Sequence, residues 1–300
     1  MRCSTAVIQA LMMHPNYKQY DWIMEEAIKM AKPHFKNQWD VSFLVNLTVK
    51  NAYEIIDPEI PRLIKTQKSN GLWKVKDSKR ISYGLLKALK YSGYLTKLLE
   101  EGRFRYDPFL SFQNENDYYG FVVRKNIMEI QISDDMILME QLTSDIFNKQ
   151  DINGSWNNTV ISTSNHIETL LELRIGRDDS HIQKGADWLF SVCSEDVYRQ
   201  SNNMGGFLVA HNMFSSQNRE SEFKIALAEK PEWNPKGLCY MHLPMIQTGI
   251  ALKTLILLGF ENDKRVLSAC DNFLELRQFY GGWCDSNIRN GLIDQKKALM

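Results

Sequence analysis

The side chains able to do chemistry in this chain are sparse, and their spacing limits what can be asked of them. Cys239, Tyr240 and His242 stand together in GLCYMHLPM. If that segment is helical, the step of three from Cys239 to His242 puts a thiol and an imidazole on one face. The ordinary reading of such a pair is a packed cysteine beside a hydrogen-bonded histidine. Cys284 and Asp285 form a second, weaker candidate. Paired carboxylates can share a proton and leave one of them a strong acid. The pairs present are Asp134–Asp135 and Asp178–Asp179. Both fall where a helix is expected to begin, in register with Asp57 and Asp263, so capping and dipole matching account for them. His166 also opens an expected helix, where a polar helix-start role suffices. No G-x-x-x-x-G-K-[ST] or G-x-G-x-x-G occurs, so a phosphate-cradling loop has no support.

The elements that must position these residues are set by an internal repeat. QKSNGLW runs from Gln67 to Trp73, QDINGSW from Gln150 to Trp156, and QFYGGW from Gln278 to Trp283. Gln67, Gly71 and Trp73, then Gln150, Gly154 and Trp156, then Gln278, Gly281 and Trp283, are the repeated positions. An acidic start and an amphipathic helix precede each copy: Asp57 before IPRLIKTQ, Asp134–Asp135 before MILMEQLTSDIFNKQ, and Asp263 before KRVLSACDNFLELRQ. Second helices are read in ISYGLLKALKYSG, SNHIETLLELRIG and MIQTGIALKTLILLG, each ending in glycine. The predicted unit is helix, glycine corner, helix, glycine stop. Weaker corners are expected at Trp39, Phe121 and Phe207, which brings the hairpins to about six. Within a corner, the glutamine amide should meet unpaired helix-end carbonyls. The glycine should take positive φ, and the indole should cover the turn while its N–H finds one acceptor.

Bulk properties narrow the function classes. The 300 residues carry 36 Lys+Arg against 36 Asp+Glu, without the basic excess that nucleic-acid binding normally needs. Hydrophobic residues are 44% and aromatics 11%, an ordinary globular composition. No apolar run approaches the roughly 18 residues of a membrane helix. Arg2 ahead of Ala6–Met13 has a faint signal-peptide look, but Gln9 interrupts the run and no small-residue cleavage site follows. The five cysteines are scattered and odd in number, with no C-x-x-C, so a reduced, cytoplasmic chain is expected. The stretch at about 211–236 breaks the repeat and reads as an insertion able to cover a site. Its Lys224, Lys230 and Lys236 could meet a diphosphate, yet Glu220, Glu222, Glu229 and Glu232 cancel them.

The three Q…G-x-W stretches resemble the QW motif of triterpene cyclases and the related repeats of protein prenyltransferase β subunits. The likeness implies an all-α, single-domain α/α toroid of about six hairpins, with the inner helices lining a central cavity. It also implies an isoprenoid or other apolar ligand, and diphosphate-leaving transfer or carbocation chemistry. Tyr83, Tyr91, Met241, Met245 and Ile246 are the expected lining; the same residues would equally fill a closed core. In prenyltransferases a zinc held by Asp, Cys and His lowers the pKa of an incoming thiol. Cys239-Tyr240 resembles the family's Asp-x-Cys-Tyr stretch, with Gly237 standing at the aspartate. The family's later histidine has no counterpart in DSNIRNGLIDQKKALM, and the chain has no D-x-D-D. What the resemblance leaves for a metal, zinc or magnesium, is Cys239 with His242, and for catalysis Cys239, Tyr240, His242 and Asp285. The rival reading is a non-catalytic toroid, a scaffold or accessory subunit that acts through a partner protein.

Overall fold

A computed structural model describes residues 2–17, 60–73, 78–194, 208–209 and 247–275. Among these the protein is all-α, apart from two residues of antiparallel pairing between β1 (Cys193–Ser194) and β2 (Leu208–Val209). The helices are α1 (Arg2–Met13), α2 (Ile60–Thr66), α3 (Ser78–Tyr91), α4 (Tyr94–Glu100), α5 (Tyr118–Val123), α6 (Asp135–Phe147), α7 (Val160–Glu172), α8 (Ser180–Val192), α9 (residues 247–257) and α10 (Lys264–Glu275). Chain contacts group into two compact units. One holds residues 1–26, 149–169 and 176–300; the other holds 27–148 and 170–175.

Most of α7, up to Thr169, belongs to the first unit, and the helix follows helical spacing closely. Val160, Thr163, Ser164, Ile167 and Leu170 recur every three or four residues, and all are fully buried. The expected glycine stop at its end falls two residues early. Arg174 takes the left-handed conformation at φ 68°, and Ile175 N–H closes back on the Leu170 carbonyl at 3.0 Å. Gly176 does not take that role, because the chain leaves the last turn before reaching it. α9 ends as expected: Gly259 sits at φ 95°, and Phe260 N–H reaches the Leu255 carbonyl at 3.0 Å. Asp263 begins α10 in the expected way, its side chain accepting from Arg265 N–H at 2.8 Å. α1 packs on α10 with Val7, Ile8, Ala10 and Leu11 fully buried. Two hydrogen bonds fix the end of α1. His14 Nε2 meets the Glu261 carbonyl at 2.8 Å, and the Tyr17 hydroxyl meets Asp271 at 2.5 Å.

In the second unit, α3 buries Tyr83, Leu85, Leu86, Ala88 and Leu89, while Lys87 and Lys90 stay partly exposed. Gly93 at φ 77° ends it and lets α4 start at once. α5 packs on α3 and runs on into one π-helical turn, Arg124–Met128. Phe121 therefore lies inside a helix, in contrast to the corner expected there. The nearby glutamine, Gln113, turns its amide to Asp107 at 3.0 Å instead of to a glycine carbonyl. The reason is Arg124. Its guanidinium is fully buried and donates to the carbonyls of Phe112 (2.9 Å) and Glu115 (2.8 Å) and to Asp135 Oδ1 (2.5 Å). These bonds tie the loop before α5 to the start of α6. Removing one partner of such a pair would leave the other buried and uncompensated. Asp135 accordingly does more than match a helix dipole: it neutralises Arg124, and its Oδ2 accepts Ile132 N–H at 3.1 Å.

Candidate functional site

The repeated motif is present twice among the described residues, and the two copies have the same internal geometry. In the first, Gln67 Nε2 donates to the Gly71 carbonyl at 3.2 Å; in the second, Gln150 Nε2 donates to the Gly154 carbonyl at 2.8 Å. Gly71 lies at φ 82° and Gly154 at φ 91°. Main-chain bonds match as well. Lys68 N–H reaches the Leu72 carbonyl at 2.9 Å, and Asp151 N–H reaches the Ser155 carbonyl at 2.8 Å. Trp73 N–H donates to Ser82 Oγ at 2.9 Å, and Trp156 N–H to Thr163 Oγ1 at 3.0 Å, so each tryptophan is pinned to the following helix by a buried hydroxyl. The Trp73 indole N–H finds the acceptor expected of it, the Leu63 carbonyl of α2, at 2.9 Å. The Trp156 ring is wholly buried and stacks on His166, 5.5 Å between centroids and 11° between planes. His166 thus packs against a corner while its Nδ1 stays 2.8 Å from the Ser162 carbonyl.

Each corner is also held from outside itself, and here the copies differ. Gln67 Oε1 accepts from Tyr106 N–H at 3.0 Å, and a Cβ on Gly71 would stand 2.1 Å from the Asp107 carbonyl. Gln150 Nε2 donates in addition to the His181 carbonyl at 2.8 Å, and a Cβ on Gly154 would stand 2.4 Å from the Lys184 carbonyl. A loop presses on the first glycine and α8 presses on the second. Neither position has room for a side chain.

Besides the Arg124–Asp135 pair, two described polar clusters centre on glutamates of α7. In the second unit Glu172 pairs with Lys87 Nζ at 2.5 Å and accepts the Tyr118 hydroxyl. Lys87 Nζ lies 5.7 Å from the centre of the Tyr83 ring. Burial, together with the Glu172 charge, raises the Tyr83 pKa far above its ordinary 10.0 and keeps the hydroxyl protonated. Tyr83, expected on an inner face, is thus a buried neutral hydroxyl beside an anchored carboxylate. Tyr91 is exposed. In the first unit Lys253 and Thr254 both reach Glu168, at 2.8 and 2.9 Å. Neither cluster was legible in the sequence, because the partners of each glutamate lie 54 to 86 residues from it. A proton donor beside a charge-balanced carboxylate can orient a polar ligand atom; by itself it assigns no reaction.

Cys239, Tyr240, His242, Asp285, Gln278, Gly281 and Trp283 lie outside the described residues, as do Trp39, Phe207 and the 211–236 segment. Among the described residues no three His, Cys, Asp or Glu side chains stand close enough to hold a metal. No helix among them is long and apolar enough to cross a membrane. Scans against family models, curated proteins and solved structures found no match to this chain.

Proposed function

We propose that this is a prenyltransferase- or terpenoid-cyclase-like protein, its hairpins closing into an α/α toroid that holds an isoprenoid or another apolar ligand. The observation that carries the reading is the shared geometry at Gln67–Trp73 and Gln150–Trp156: glutamine amide on glycine carbonyl, left-handed glycine, buried indole. Two such corners 83 residues apart (156 − 73) mark a repeat unit that needs neighbours to bury its faces. The motif resembles that of the isoprenoid-handling toroids. Under this reading Cys239, Tyr240, His242 and Asp285 are the first residues to test, with zinc or magnesium the metal to look for. The aromatic and hydroxyl groups of Tyr83, Tyr118 and Tyr119 suit a ligand with an apolar chain and a polar end.

A second reading, a scaffold or accessory subunit working through a partner protein, draws on one observation. α6 leaves Met136 and Ile137 each 59% exposed. Native mass spectrometry of the full chain purified from its host distinguishes the two. Co-purifying lipid, or stoichiometric zinc lost in Cys239→Ala, supports the first reading. Protein carrying neither, but bound to a defined protein partner, overturns it in favour of the second.

A further inference from the structure

Both described corners place an asparagine directly before the glycine, at Asn70–Gly71 and Asn153–Gly154. An Asn–Gly step is chemically weak. The glycine nitrogen can attack the asparagine Cγ: the N–Cγ bond forms, the Cγ–Nδ2 bond breaks, and ammonia leaves with the proton of the glycine N–H. Water then opens the resulting succinimide at either carbonyl, giving aspartate or isoaspartate. No side chain on the glycine hinders the attack. Burial offers no protection, because Asn70 and Asn153 are both exposed.

We propose that Asn70 and Asn153 are latent succinimide sites that the folded corner holds shut, so that their rate of conversion reports the fraction of time each corner is open. Two features of the geometry hold them. The attacking nitrogen keeps its proton engaged: Gly71 N–H donates to the Lys68 carbonyl and Gly154 N–H to the Asp151 carbonyl, each at 2.9 Å. The side chain that would be attacked is held in place as well. Asn70 Oδ1 accepts from Leu72 N–H at 3.2 Å, and Asn153 Oδ1 accepts from Ser155 N–H at 3.0 Å and Ser155 Oγ at 2.7 Å. Ring closure must rotate the asparagine and break both sets of bonds, so it proceeds from the opened corner. The change is then permanent. Isoaspartate adds a methylene to the main chain beside a glycine where even a Cβ would lie 2.1 Å (Gly71) or 2.4 Å (Gly154) from a carbonyl. A corner converted to isoaspartate cannot re-form as it was, whereas the aspartate product keeps the original main chain.

The test is peptide mapping of the full chain incubated at mildly alkaline pH, native and in concentrated guanidinium chloride, reading the gain of one mass unit at each asparagine. Conversion at both sites is expected to be at least about tenfold slower in the native chain. Equal rates in the two conditions overturn the proposal. In native Gln150→Ala, conversion at Asn153 should rise about fivefold through loss of the clamp, while Asn70 stays within about twofold. An unchanged Asn153 rate in that variant also overturns it. If the variant fails to fold, both sites accelerate together, and the native-versus-denatured comparison on the unaltered chain still decides.

Discussion

Replacing Trp156 by alanine tests the packing on which the repeat rests. The indole is fully buried, stacked on His166, and fitted so closely against α8 that a Cβ on Gly185 would lie 3.0 Å from its Cζ3. An indole removes about 200 Å² from water, worth about 5 kcal/mol at about 25 cal/mol per Å². The alanine methyl recovers part of this, and the cavity between α7 and α8 adds a cost that depends on how far the walls collapse. The expected loss is about 3–5 kcal/mol, a large share of the roughly 5–15 kcal/mol available to a folded domain. The assay is urea denaturation followed by far-ultraviolet circular dichroism, with Trp156→Phe alongside. Phenylalanine keeps a ring over His166 and should recover at least about 1 kcal/mol. A Trp156→Ala loss below about 1 kcal/mol would refute the reasoning, because a fully packed indole cannot be removed so cheaply.

Three further outcomes rest on the same geometry. Gly154→Ala should cost about 1–2 kcal/mol for the left-handed backbone and at least about 1 kcal/mol more for the contact with the Lys184 carbonyl. Gly102→Ala, at φ 59° with nothing within 4 Å of the added methyl, should show only the first cost by the same denaturation measurement. Asp117 provides the pH test. Burial pushes its carboxyl up, but Lys79 and the Gly120 N–H pull it further down, so the folded value lies below the ordinary 3.8. A depressed carboxylate contributes its full stability above 3.8 and loses it as pH falls through the folded value. Because the pair is half exposed and screened, the loss should be no more than about 1 kcal/mol. Denaturation midpoints between about pH 5 and pH 2 should therefore fall less steeply in Asp117→Asn than in the unaltered chain.

What the sequence determined by itself was local. Helical spacing placed α3, α7 and α10, Asp263 and Gly259 marked a start and a stop, and the Gln–Gly–Trp order located both described corners. Each depends on groups within about ten residues of one another, where chain geometry leaves few alternatives. The shared Asn before Gly was equally readable in QKSNGLW and QDINGSW. Tertiary structure decided everything that needs a distant partner. The carbonyl pressing on the corner glycine comes from a loop at Asp107 in one copy and from α8 at Lys184 in the other. Arg124 drew the Phe121 segment into a helix by collecting carbonyls and Asp135 around one buried charge. Glu172 could be matched with Lys87 and Tyr118 only once the chain had folded. Local propensity is additive along the chain, whereas a buried charge or a close backbone approach is settled by whichever remote group fills the space, and spacing in one sequence does not contain that choice.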